Sequence, residues 1–218
     1  MEKIPLILRI KKESHRNIAY AQDLIVTEVY KVFDRAVLHG GTAIWRCYNG
    51  NRFSEDLDFY FPADRKKTDE LFESLEKKGF RILKKKVSDR SIYSELEYER
   101  IAVRLEATFQ NISGVIVDYE TADGNVISIY SLTPEGFIQE KSNTYLKRRK
   151  IRDLWDIFFL LKLVVNWKEI EKAIESLIKK YAKPIDEEDL KVIILEGIVP
   201  NSQEMIDYIK RKWGNKNI

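Results

Sequence analysis

Apolar side chains recur at Ile18, Ala21, Ile25, Val29 and Val32, the spacing of one face of a helix, and predict an amphipathic helix from Ile18 to Phe33. Ala36 to His39 reads as a short strand stopped by Gly40-Gly41, after which Thr42 is placed to cap a short helix running through Cys47. Asn49-Gly50-Asn51 signals a turn, Asp56 to Phe61 a strand, and Thr68 to Lys78 a helix that stops at Gly79. The pattern then changes period. Residues 80–87, 91–98, 101–109, 114–119 and 126–130 predict strands, and Val103, Leu105 and Ala107 alternate with Arg104, Glu106 and Thr108 as in a strand with one buried face. From Pro134 onward helical periods dominate, with a break near Lys183-Pro184 and a helix cap at Asn201 or Ser202. The fold class is α+β, in two domains: an α/β catalytic domain over residues 1–132 and a helical domain over residues 133–218.

Composition narrows the chemistry. Of 218 residues 44% are apolar, enough for a substantial core, and 33% are charged, which points to a salt-laced surface. The net charge of only +3 does not by itself mark a nucleic-acid binder, so clustering of basic residues has to carry any such reading. Cys47 is the single cysteine, which excludes an internal disulfide, and with only His15 and His39 beside it a conventional zinc site has too few ligands. Any metal must therefore be held by oxygen. The apolar run Ile4 to Leu8 is too short to span a bilayer, and Leu154 to Val165 is interrupted by Asp156 and Lys162. A cytoplasmic protein without membrane partners is expected.

The segment His39 to Phe59 is where the chemistry concentrates. Asp56 and Asp58 alternate on a predicted strand, so both carboxylates project from one face, where their repulsion is relieved by a cation. Mg2+, hard and reluctant to shed all its water, suits such a pair and leaves positions for substrate phosphates. Gly40-Gly41 leaves backbone amides uncovered at a helix start, where a triphosphate can sit, and Thr42 adds a hydroxyl. Glu106, a polar residue in mid-strand sharing a face with Arg104, is the best third carboxylate for a second metal. Each signal alone is weak: Asp-x-Asp is more often a strand edge, Gly-Gly-Thr usually only a turn, and Glu106 could merely pair with Arg104. Their order, with 13 residues between Thr42 and Asp56, is far more specific.

Gly40-Gly41-Thr42 followed by Arg52-x-Ser54-x-Asp56-x-Asp58-Phe59 resembles the DNA polymerase beta-like nucleotidyltransferase superfamily, and within it the AbiEii/AbiGii toxin family. His39 departs from the apolar residue usual in the superfamily. A second stretch, Glu140 to Asp156, is similar to that family's basic block, matching it at Glu140, Lys141, Arg148, Arg152, Asp153, Leu154 and Asp156, with Thr144 where alanine is usual. The resemblance covers Ile18 to Leu163. It implies a polymerase beta-like core, a mixed or antiparallel sheet flanked by helices, followed by a C-terminal helical bundle. On one continuous helix Lys141, Arg148 and Arg152 would lie within about 40° of each other, a cationic stripe for phosphate oxygens, with Asp153 or Asp156 anchoring the arginines.

The resemblance implies the following assignments. Catalysis rests on Asp56, Asp58, Glu106 and Lys141, and the metal site on Asp56, Asp58 and Glu106. Nucleotide is held by Gly40, Gly41, Thr42, Arg52, Ser54, Lys141, Arg148, Arg152 and Asp153. The cofactor is Mg2+ in a two-metal site, for which Mn2+ can substitute. The expected reaction moves a nucleoside monophosphate from a nucleoside triphosphate to an acceptor, foremost the 3′ end of a tRNA, in a toxin that has a cognate antitoxin. The alternatives are a protein or small-molecule acceptor, or a nucleotide- or RNA-binding module without turnover. Lys84-Lys85-Lys86 is read as an exposed strand or turn that could touch RNA phosphates, and Trp45, Trp155, Phe158 and Phe159 as packing residues.

Overall fold

The computed structural model describes residues 4–215, so the outermost ends of both predicted domains lie outside the described residues. Backbone proximity divides the chain into two compact units, residues 1–49 with 53–131, and residues 50–52 with 132–218.

The first unit contains α1 (Leu6–Arg9), α2 (Glu13–Val32), β1 (Val37–His39), α3 (Gly40–Cys47), β2 (Leu57–Phe61), α4 (Arg65–Lys77) and five further strands. These are β3 (Arg81–Val87), β4 (Ser91–Tyr98), β5 (Ile101–Phe109), β6 (Val115–Glu120) and β7 (Val126–Ser131). The strands form one seven-stranded sheet in the order β3-β4-β5-β2-β1-β7-β6. It is mixed: β1 is antiparallel to β2 and parallel to β7, and β2 is parallel to β5. The chain is α+β, as its periodicities predict. Ala21, Ile25 and Val29 of α2 are fully buried, and α2 packs on β5 and α4. Leu57, Phe59 and Phe61 of β2 join Val103 and Leu105 of β5 in the same core, with Phe33 stacked on Phe61 at 4.4 Å between ring centroids. Burial of these faces supplies the main driving force. Residues of opposite parity, among them Asp58, Tyr93, Arg104 and Glu106, stay partly or fully exposed.

Three local features differ from the sequence reading. The long helix begins at Glu13, not Ile18. The short helix opens at Gly40, so Thr42 lies inside it instead of capping it, and its hydroxyl bonds the carbonyl of Asp56. Asp56 stands one residue before β2. The predicted stop at Gly79 is present, with φ +96°, and Asp64 caps the start of α4 by accepting from the Lys67 N–H at 3.0 Å.

The second unit holds α5 (Pro134–Arg148), α6 (Ile151–Leu160), α7 (Trp167–Lys180), a 3-10 turn at Glu187–Asp189, α8 (Leu190–Ile193) and α9 (Ser202–Gly214). Thr133 caps α5, with proline at its first position. Asn201 and Glu204 form a reciprocal capping box on α9, with bonds of 2.9 and 2.8 Å. α5 packs on α6 and α7, and α6 on α9. One continuous helix through the basic block does not form: Arg149 adopts a left-handed conformation, φ 49°, and separates α5 from α6. Among the described residues no helix is long and apolar enough to cross a membrane.

Candidate active site

Two clusters of charge, one in each unit, contain the residues singled out in the sequence. In the first unit the register of the parallel pair β2/β5 sets Asp58 directly opposite Glu106, and the antiparallel pair β1/β2 sets His39 opposite Asp58. Directly opposed residues share a face, so Asp58 and Glu106 stand side by side on the less covered side of the sheet. Asp56 sits on the segment entering β2, which buried donors hold in place. The Gln22 side-chain amide donates to the carbonyls of Ser54 and Glu55, both at 3.0 Å, and Thr42 Oγ1 donates to the Asp56 carbonyl at 2.5 Å. Gln22 and Thr42 are fully buried.

Gly40 brings the glycine turn against this cluster. Its φ is +73°, a conformation that disfavours side chains, and a Cβ on it would fall on Asp58 Oδ2. The glycine thus leaves the space that the Asp58 carboxylate occupies. Arg104 supplies the local positive charge: its Nη1 lies 3.3 Å from Asp56 Oδ1 and its Nε 3.8 Å from Glu106 Oε1, with both arginine and glutamate side chains more than two-fifths exposed. Burial pushes the Glu106 carboxyl above its ordinary value, Asp58 and Asp56 push it the same way, and Arg104 opposes them.

Among the described residues no group of three or more Asp, Glu, His or Cys side chains is drawn together as a metal cluster. The donor chemistry still suits a hard divalent cation. Asp56, Asp58 and Glu106 offer only oxygen, and a cationic side chain already bridges two of the three.

The second cluster is a buried ion network. Asp156, fully buried, receives Arg52 in a two-pronged contact, Nε to Oδ1 at 2.6 Å and Nη2 to Oδ2 at 2.7 Å, and Lys141 Nζ at 3.0 Å. Lys141 is 8% exposed and reaches Asp153 Oδ1 at 3.7 Å. Asp153, also fully buried, takes Arg148 through Nε at 2.7 Å and Nη2 at 2.8 Å. Burial pushes the Asp156 carboxyl up, but Arg52 and Lys141 outweigh it and hold it below its ordinary value. Asp153 anchors Arg148 as the spacing suggests, while Asp156 serves Arg52 and Lys141. Arg152, on α6, is exposed, and Ser54 is half-buried.

The family model described as "Nucleotidyl transferase AbiEii toxin, Type IV TA system" matches residues 27–211, which span both clusters. The chain belongs to the AbiEii nucleotidyltransferase toxin family. No curated protein matches it. Several solved structures share its fold, three of which follow. MenT4, a nucleotidyltransferase toxin from Mycobacterium tuberculosis H37Rv, is 16% identical with a TM-score of 0.63, over 92% of this chain and 82% of that one. JHP933 from Helicobacter pylori is 19% identical with a TM-score of 0.64, over 94% and 92%. A putative nucleotidyltransferase from H. pylori is 21% identical with a TM-score of 0.65, over 94% and 95%. In this AbiEii nucleotidyltransferase Gly40 to Thr42 and Asp56 to Asp58 lie in the first unit, and Lys141 to Asp156 in the second.

One contributor, Gln22, and one contact, that of Arg104 with Asp56, went unnoticed in the sequence. Gln22 fixes the segment that carries Asp56, and its only trace is a polar residue on the apolar face of α2. Arg104 engages Asp56 as well as its strand neighbour Glu106, and nothing in the sequence links residues 48 positions apart.

Proposed function

We propose that this AbiEii nucleotidyltransferase transfers a nucleoside monophosphate from a nucleoside triphosphate to the 3′-terminal hydroxyl of a tRNA, with Mg2+, or Mn2+ in its place, at Asp56, Asp58 and Glu106. The observation that carries the reading is the facing of Asp58 and Glu106 across β2/β5, with Gly40 packed against the Asp58 carboxylate. Bound there, a divalent cation supplies positive charge to the phosphate oxygens and to the entering and leaving oxygens. The protein's own part is to fix geometry. Gly40, Gly41 and Thr42 open α3 and offer its first amides to the triphosphate. In the second unit Lys141, Arg148 and Arg152 are the groups assigned to phosphate, with Asp153 holding Arg148 and Asp156 holding Arg52 and Lys141. The acceptor oxygen bonds the α-phosphorus, the bond from that phosphorus to the bridging oxygen breaks, pyrophosphate leaves, and the acceptor hydroxyl loses its proton. The setting is the cytoplasm, where tRNA and nucleoside triphosphates are abundant, and a cognate antitoxin is the partner.

The test is incubation with each α-labelled nucleoside triphosphate, Mg2+ and total tRNA, followed by mapping of the label. Label is expected at the 3′ end of tRNA. Asp58→Asn should lower incorporation by more than the roughly 10–100-fold typical of residues that only support a metal ligand, with unchanged melting. Label found only in protein, or an indifferent Asp58→Asn, would overturn the proposal.

A further inference from the structure

The sheet face that bears the carboxylates does not end at them. Strand register continues the row outward: Asp58 lies opposite Glu106, Glu106 opposite Tyr93, and Tyr93 opposite Lys86. The next row reads Arg104, Glu95, Lys84. A β-bulge between Ile82 and Lys84 precedes this stretch of β3. The middle residue of the lysine run points the other way, with Lys85 over the Phe72 ring of α4 at 4.2 Å and paired with Asp69 at 3.2 Å. Lys84 and Lys86 are left exposed on the carboxylate face. Between them and the acidic cluster stands the half-buried Tyr93 ring, with the Lys84 ammonium 5.0 Å and the Arg104 guanidinium 5.9 Å from its centroid.

We infer that this face of β3, β4 and β5 is a binding platform for the single-stranded end of an RNA acceptor, with Lys84, Lys86 and Arg104 meeting phosphates and Tyr93 meeting a base. The inference rests on the proposed transfer reaction and extends it from the acceptor's terminal hydroxyl to the nucleotides that precede it. Lys84 and Lys86 outnumber the one intervening carboxylate of Glu95, and Arg104, which also bridges Asp56 and Glu106, adds its charge beside them. Lys84 and Lys86, two residues apart on one strand, are separated by about 6.8 Å, comparable with the distance between successive phosphates of an extended strand. Three strand spacings take Lys86 about 14 Å from Asp58. A terminal hydroxyl can therefore stand at the carboxylates while the preceding nucleotides cross Tyr93 to the lysines. Stacking on an aromatic ring tolerates any base, and the cations track the backbone, which is how single strands are held without sequence readout.

The experiment measures fluorescence anisotropy of a labelled single-stranded RNA of about 12 nucleotides on the full chain, over a salt series. Lys84→Glu with Lys86→Glu should weaken binding tenfold or more and reduce the slope of log affinity against log salt by about 1.4. Tyr93→Leu should weaken it about fivefold or more. Lys66→Glu with Lys77→Glu, on α4 across the sheet, should leave both quantities unchanged, as should Lys84→Glu/Lys86→Glu for binding of a nonhydrolysable nucleoside triphosphate with Mg2+. Affinity indifferent to the β3 reversals, or lost equally in the α4 control, overturns the platform. Competition by polyglutamate as strong as by unlabelled RNA also overturns it, since the face would then fit an acidic protein. RNA that binds through these lysines yet never receives label would sink the transfer reaction and leave the platform standing. Transfer that proceeds with RNA affinity insensitive to them would do the reverse.

Discussion

Gly40 is the residue at which backbone conformation and acid placement meet. Its positive φ and the Asp58 carboxylate lying where a Cβ would go make it intolerant of any side chain. Gly40→Ala should cost about 1–3 kcal/mol in strain, seen as a melting temperature lower by a few degrees, at about 2–4 °C per kcal/mol in a chain of this size. It should also push Asp58 off its register opposite Glu106, so nucleotidyl transfer should fall much further than the lost stability explains. Paired melting and labelling assays check this, and full activity at a reduced melting temperature would contradict it. At this scale the carboxylates were legible because the order of glycines, threonine and aspartates restricts what the segment can be. Gln22 was not. A buried amide that bonds carbonyls 32 and 33 residues away leaves no local pattern in a single sequence.

Among elements, the segment entering β2 depends on α2 and α3 more than on its own propensity. Gln22 and Thr42, both buried, donate to the carbonyls of Ser54, Glu55 and Asp56 and so fix this segment. Gln22→Leu removes both of its hydrogen bonds, each worth about 0.5–1.5 kcal/mol, and frees the backbone that carries Asp56. A lower urea midpoint together with reduced transfer is expected, whereas Gln22→Glu, whose side chain cannot donate, should be at least as damaging. The strands and most helix ends were readable because alternation, glycine stops and capping residues are local signals. The position of the break, at Arg149, was not, because a left-handed non-glycine residue is selected by its surroundings. The N–H of Ile151 donates to Asp186 and the Arg149 carbonyl accepts from Ile185, contacts made by residues more than 30 positions on.

For the whole molecule the buried pairing of Asp156 with Arg52 and Lys141 contributes to the response to acid. The Asp156 carboxyl is held below its ordinary 3.8. Above that value the group is ionised both folded and unfolded, and the pairing stabilises fully. As pH falls below it the unfolded chain takes up the proton first, so stability declines until the folded carboxyl is protonated as well. Asp156 should therefore add to the loss of urea resistance of the wild type below about pH 4. Asp156→Asn, weaker at neutral pH because Arg52 loses this charge partner and Lys141 the nearer of its two, should show a flatter decline, and two parallel curves would refute the assignment. Sheet order lies at this scale too, and periodicity cannot supply it. Alternation marks β5 as half-buried but says nothing of its lying beside β2, the pairing that unites Asp58 with Glu106.

β3 is the outermost strand at its end of the sheet, with one side of its backbone available to another strand, and three consecutive lysines are a deterrent to such pairing. The charge that would receive a polyanion thus also guards the chain against sticking to itself. Swapping Lys84 and Lys86 for glutamate preserves that guard, whereas swapping them for leucine or valine would invite edge-to-edge aggregation whatever happened to RNA.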